Sequence, residues 1–218
     1  MSASTAVMFL ILMLSACVNT ENQPAPVNIG DIIQFGGFEW RVLALESHSM
    51  LIITENIIER RPFHNTFEAV TWETSSIRAY LNGEFLNIFS EAERARIFET
   101  TVINNDNPWF LRDGGNDTVD RVFLLSLEEL VRYFGDSGIL KDGGPCQFTF
   151  ALLFDDQYRG RRAARDADGY EVSWWLRSVG GRFDGFVAYV GQWGYVHVDG
   201  IDVYPFDFGV RPALWLSR

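Results

Sequence analysis

The sequence predicts an α+β domain, a single compact unit with a mixed, mostly antiparallel sheet and short helices. Three observations lead there. Runs of period two mark both ends of the chain, from Ile32 to Thr54 and from Ser173 to Leu216, as strands with one buried face do. Between them the period becomes helical at Ile77, Tyr80 and Leu81, and again beyond Ser126. The 218 residues are 47% apolar and 15% aromatic, which suits one domain with a full core and excludes disorder over most of the length.

The first seventeen residues stand apart. Ala6 to Leu14 is apolar but too short to cross a bilayer core of ~30 Å as a helix. It fits the hydrophobic region of a secretory signal and ends in Leu14-Ser15-Ala16-Cys17. That ending resembles the lipobox of bacterial lipoproteins. The resemblance implies that Cys17 is diacylated, freed at its amine by signal peptidase II and held at the bacterial cell membrane by its acyl chains, more than one of which gives stable anchoring. No Lys or Arg precedes the apolar run. Residues 18–28, polar and proline-bearing, read as a flexible tether, which leaves 29–218 as the globular domain. Cys146 is then the single cysteine of the mature chain. It reads as a small packing residue, and no intrachain disulfide is expected.

The domain opens as a meander. Ile32–Phe35 and Phe38–Leu45 flank Gly36-Gly37, the pattern of a hairpin with a glycine turn, and Met50–Thr54 makes a third strand. Thr74 or Ser75 then caps a helix carrying Ile77, Tyr80 and Leu81, and Phe85, Ile88 and Phe89 continue as a second short helix. Ser90 with Glu93 forms a capping box for a helix to about Phe98, followed by a strand at 101–103. Asn107 to Asp120 has every local mark of a loop. Its oxygens suit calcium, but the spacing matches no EF-hand, and side-chain to backbone bonds account for the composition. No metal and no cofactor is expected. Arg121–Leu125 reads as a strand, and Ser126 with Glu129 opens a helix to about Phe134. Residues 136–172 are an excursion with one apolar patch, Phe148 to Phe154. Their basic cluster, Arg159-Gly160-Arg161-Arg162 with Arg165, precedes Asp166 and Asp168. It is a solvated loop with local ion pairs or an anion-binding loop.

The C-terminal run carries the functional expectation. Val196 and Val198 alternate with Tyr195, His197 and Asp199, so the valines face a core and the others face out. Gly191, Gly194 and Gly200 punctuate it as turns or bulges. Aromatic, acidic and imidazole groups on a rigid frame recognise ligands by area and hydrogen bonds. The expected ligand-binding set is Asp184, Phe186, Tyr189, Trp193, Tyr195, His197, Asp199, Asp202 and Tyr204. The expected partner is an extracellular protein or a glycan. Trp174 and Trp175 are expected to be structural. Arg177 and Arg211, each inside an apolar motif, are expected to be buried and paired with carboxylates such as Glu73, Asp117 or Asp120. A formal charge of -11 argues against nucleic acid and against electrostatic docking on anionic lipid, both of which need clustered cations.

Five ordered motifs carry a family resemblance. They are Phe38-x-Trp40-Arg41-Val42-Leu43; Trp72-Glu73-x-Ser75-Ser76-Ile77-Arg78-x-Tyr80-Leu81-Asn82; Gly115-Asn116-Asp117-Thr118-x-Asp120-x-Val122-Phe123-Leu124-Leu125-Ser126; Trp174-Trp175-Leu176-Arg177-Ser178; and Gly209-Val210-Arg211-Pro212-Ala213-Leu214. Together, from about Ile29 to the end, the chain resembles the bacterial domain of unknown function 6273, a family without an established activity. The tryptophan-rich strand, glycine-punctuated middle and closing Gly-Val-Arg-Pro strand also look like C-type-lectin-like folds. Within these they look like formylglycine-generating enzymes and the variable proteins of diversity-generating retroelements. The retroelement resemblance implies variable residues near the C-terminus on a fixed scaffold. The composition at Asp184, Phe186, Tyr189, Tyr195, His197, Asp199, Ile201, Asp202, Tyr204, Asp207 and Phe208 is compatible with that. Formylglycine generation uses a pair of cysteines, and the mature chain offers only Cys146. His48, His64 and His197 are scattered, and no nucleophile elbow, phosphate loop or Cys-x-x-Cys occurs. Asp199 and Asp202 could flank a glycosidic bond across a turn, as any acidic chain allows. A binding module is therefore expected rather than an enzyme. The alternatives are a formylglycine-generating or carbohydrate-active enzyme, or an envelope structural protein.

Overall fold

The computed structural model describes residues 26–135, 137–138, 153–181 and 183–218. Cys17 with its lipobox, Cys146 and the Phe148–Leu152 part of the apolar patch lie outside the described residues. Val27 packs against the core, and the Asn28 amide donates to Asp31 Oδ2 at 2.8 Å.

The α+β expectation is met, with three sheets among the described residues in place of one. Strands β1 (Ile32–Phe35), β2 (Phe38–Leu45) and β3 (Ser49–Thr54) form the predicted meander. Phe35 pairs with Phe38, so the hairpin turns on Gly36-Gly37 alone. The last strand of the chain, β12 (Ala213–Ser217), adds to β3, giving the order β1-β2-β3-β12. The second sheet runs β4-β11-β8-β9-β10-β7. Its members are β4 (Glu59–Arg61), β7 (Leu153–Phe154), β8 (Trp174–Val179), β9 (Phe186–Val190), β10 (Val196–Asp202) and β11 (Phe208–Val210). All pairings in it are antiparallel except β8 with β11.

The two sheets are halves of one bent ladder. β3 pairs with β12 and β4 pairs with β11, and the ladder breaks at Glu55–Ile58 opposite Arg211-Pro212. Pro212 has no amide hydrogen to donate, which ends a ladder where it falls. Arg211 spans the break, its Nε donating to the Thr54 carbonyl at 2.8 Å and its Nη2 to the Glu55 carbonyl at 3.1 Å.

Helices are short, and their starts follow local chemistry. Ser75 caps α1 (Ser76–Tyr80) by accepting from the Arg78 amide, and a π turn and a 3-10 turn carry the chain on to Ile88. Both capping boxes form. Ser90 and Glu93 open α2 (Glu91–Arg94), and Ser126 and Glu129 open α3 (Leu127–Phe134). The first of these stops at Arg94, short of the predicted Phe98, because Ile97 bridges to Leu216 and the Phe98 amide donates to Trp215. A small sheet pairs β5 (Thr100–Val102), at the strand expected for 101–103, with β6 (Thr118–Asp120), which lies in the stretch expected to be a loop. Arg121–Leu125 is not a strand. It is a buried connection, with one bridge from Phe123 to Ala213 and the Leu125 carbonyl accepting from the Arg177 amide. The core is one cluster that includes Trp40, Trp72, Trp174, Trp175 and Phe63. Trp174 and Trp175 donate their indole N–H to the carbonyls of Arg162 (3.0 Å) and Arg61 (2.9 Å), so neither ring leaves a buried donor unmet.

Candidate recognition surface

The β9–β10 hairpin and the loops on either side of it carry the predicted site residues, and the structure divides them into three patches. The first is the hairpin tip. The Gly194 amide donates to the Gly191 carbonyl at 2.9 Å, closing a turn with Gln192 and Trp193 at its centre. Trp193 has φ +71°, the left-handed region that a bulky side chain occupies only at a cost, about 1–3 kcal/mol. Its ring is 55% exposed and meets Tyr195 edge-on at 6.1 Å.

This strained turn is clamped. Helix α4 (Arg159–Arg162) lies under it, and a Cβ on Gly194 would sit 1.9 Å from the Arg159 carbonyl oxygen. Arg162, fully buried and ion-paired with Asp156, donates to the Gly194 carbonyl at 3.0 Å. The Gln192 amide donates to Ser173 Oγ at 3.1 Å. Arg159 donates to the Tyr195 hydroxyl at 3.0 Å and covers its ring. Between tip and helix lies an open groove of about 570 Å³, lined by Gln157, Arg159, Glu171, Trp193 and Tyr195 among others. Gln157, Arg159 and Glu171 were not anticipated as site residues. The arginine cluster was their signal, and it is only partly the solvated loop with local ion pairs. Arg159 pairs with Asp155 and Arg165 with Glu171, both exposed, but Arg162 is interior.

The second patch is on the sheet face. Trp175, Tyr189 and His197 sit side by side on β8, β9 and β10, because the pairing register aligns them. Tyr189 stacks on His197 with centroids 4.2 Å apart, Phe208 leans on Tyr189 at 4.9 Å, and Trp175 meets Phe208 at 4.7 Å. Tyr189, His197 and Phe208 are half-buried, while Val196 and Val198 on the opposite face are buried. Burial, with Asp199 nearby, pushes the Tyr189 hydroxyl up to about 12. Burial alone lowers the His197 imidazole, so it is neutral at pH 7. Tyr204 is exposed on the loop beyond β10, close in sequence to exposed Phe206.

Asp184, Phe186 and Asp202 form the third patch. Asp202 pairs in register with Phe186. Exposed Asp184 accepts from Arg112 at 2.7 Å beside a small cavity of about 200 Å³ lined by Val70, Phe183 and Phe186 among others. One expectation fails here. Asp199 does not face out but is buried at 6% exposure. The β9–β10 register shifts between His197 and Ile201, and Gly200 takes φ +75°. Four residue steps of β10, from His197 to Ile201, lie against two of β9, from Tyr189 to Val187, so β10 carries two extra residues and Asp199 sits inside the bulge, off the regular alternation.

The buried arginines are partnered differently from expectation. Arg177 pairs with Glu129 and also donates to the carbonyls of Leu124 (2.6 Å) and Ile103 (2.9 Å) and to Asn104 Oδ1 (3.2 Å). Among the described residues Arg211 bonds backbone carbonyls, and it lies between the rings of Trp174 and Phe134. The carboxylates predicted for them are used elsewhere. Asp120 takes Arg78 and the Trp72 indole, Glu73 takes Asn116, and Asp117 takes the Asn104 amide. In the 107–120 stretch the amides of Gly114 and Gly115 donate to Asp106, just before it (3.1 Å), and to Asp113 (2.9 Å).

A family model described as a domain of unknown function, DUF6273, matches residues 47–218, all three patches included. No curated protein and no solved structure matches the chain.

Proposed function

The chain belongs to the DUF6273 family, and from that premise we propose that it is a recognition module, not an enzyme, which binds a glycan through the Trp193–Tyr195 tip and the groove beside it. One observation carries this reading. A tryptophan occupies a turn position that glycine would fill without strain, and its ring stays largely in solvent on a clamped support. Residues held in strained backbone at the surface of a rigid frame mark contact sites. An exposed aromatic face covers the apolar face of a sugar, and the flanking amide, guanidinium and carboxylate of Gln157, Arg159 and Glu171 supply donors and acceptors for hydroxyls.

The lipobox at Leu14–Cys17 supports placing the module at the bacterial cell membrane through acylated Cys17, without nucleic-acid partners. The finer fold relationship proposed is C-type-lectin-like, on the order of the Trp174-Trp175 strand, the glycine-punctuated hairpin and the Gly209–Pro212 crossover. A retroelement variable protein would carry its changes on these same patches. That extension requires a template repeat of the 184–208 coding region near a reverse-transcriptase gene, differing at adenines.

The test is an array of bacterial and host glycans probed with the protein and its Trp193→Gly variant. Binding by the first and loss by the second, with folding intact, is the expected result. Retention by the variant rejects the tip as the site.

A further inference from the structure

A second cavity, of about 490 Å³, also borders α4, at Gly160 and Arg161. Leu43, Tyr133 and Phe134 line it together with Arg41, Glu55, Arg161 and Arg211. Its charges do not balance. Arg41 and Glu55 form a bidentate pair and neutralise each other. Arg211 is only 2% exposed, and its two hydrogen bonds go to carbonyls through Nε and Nη2. Nη1 is buried and has no hydrogen-bond partner among the described residues. The rings of Trp174 and Phe134, 5.1 and 5.4 Å from the guanidinium carbon, compensate part of the missing solvation. A buried cation whose donors are unmet remains costly. Burial brings Arg211 down to about 10, and it is still a cation at neutral pH. Exposed Arg161 adds a further positive charge to the lining. In a chain of net charge -11, this concavity is locally positive.

We propose that this cavity is a carboxylate site, in which the guanidinium of Arg211 in its wall takes the anionic end of a small monocarboxylic acid whose apolar body lies against Leu43 and Phe134. The anion supplies the partner that Arg211 lacks, and charge-assisted bonds from guanidinium to carboxylate are the strong kind. The cavity size is that of an ordinary small-ligand site. A singly charged acid matches one buried cation, and the apolar wall favours an organic acid over an inorganic ion.

The site is tested on the intact protein by calorimetric titration with benzoate, with benzamide as the neutral look-alike, and with inorganic phosphate, all at constant ionic strength. Benzoate should bind and raise the melting temperature, and the other two should not. Arg161→Glu, a change of two charge units at the rim, should weaken benzoate roughly tenfold, about 1.4 kcal/mol, without changing the ligand-free melting temperature. Arg121→Glu, the same charge change away from the cavity, should leave affinity unchanged. Equal binding of benzoate and benzamide, phosphate bound in benzoate's place, no binding at all, or an affinity indifferent to Arg161→Glu would each overturn the proposal.

Discussion

The two irregular points of the β9–β10 hairpin use the same backbone device for opposite ends. At the Gly200 bulge the chain takes φ +75°, and a Cβ there would meet the Val187 carbonyl oxygen at 2.6 Å. Glycine is the residue such a place demands, and it sits next to the buried Asp199. At the tip Trp193 takes φ +71°, yet the position is filled by the largest side chain and the ring is exposed. Where sequence and backbone agree, the feature serves the fold. Where they disagree in the open, the one ring contact on Tyr195 at most offsets the strain, and a ligand for the ring is the proposal that accounts for the rest.

Four substitutions test this contrast and the frame that carries it. Arg177→Ala has the largest expected effect. It strands Glu129 and several buried acceptors, and denaturant unfolding should show a loss of about 3–5 kcal/mol. Gly200→Ala combines a strained φ with a backbone clash, and the same assay should register about 2–4 kcal/mol lost. An unchanged midpoint would remove the structural half of the contrast. Trp193→Gly relieves the strained φ and gives up the ring's contact with Tyr195. These oppose each other, so stability should move by less than about 1 kcal/mol.

The smallest effect is a pH dependence. Burial depresses the folded-state pKa of His197 below its unfolded value of about 6.5. The unfolded chain therefore binds the proton first. Stability is flat above the unfolded value and falls as the pH drops from there toward the folded one. His197→Phe keeps the stack on Tyr189 and should flatten that segment of a melting-temperature profile. Acid loss at lower pH, where carboxylates titrate, should persist.

What could be read in the sequence was local. The Gly36-Gly37 hairpin and both Ser–Glu capping boxes depend on residues within four positions of one another, and all three formed. The alternation that put Val196 and Val198 inside held until the bulge. Gly200 was the visible sign of that bulge, but not of which way Asp199 would then turn. Partnerships across the chain were out of reach. Arg177 meets Glu129 48 positions away and Arg211 meets Thr54 157 positions away, and a charge in an apolar motif announces burial without naming its partner. The apolar run 121–125 looked like a strand because period cannot separate a central strand from a buried connector. The groove residues Arg159 and Glu171 join Trp193 only because Gly194 lets the tip close on α4.

The most direct measurement compares glycan binding and unfolding midpoint for the protein and Trp193→Gly in the same preparation. Lost binding with an undisturbed midpoint is what a recognition tip predicts. A variant that binds as before, or that fails to fold, would show that the ring serves the domain's own structure and not a ligand.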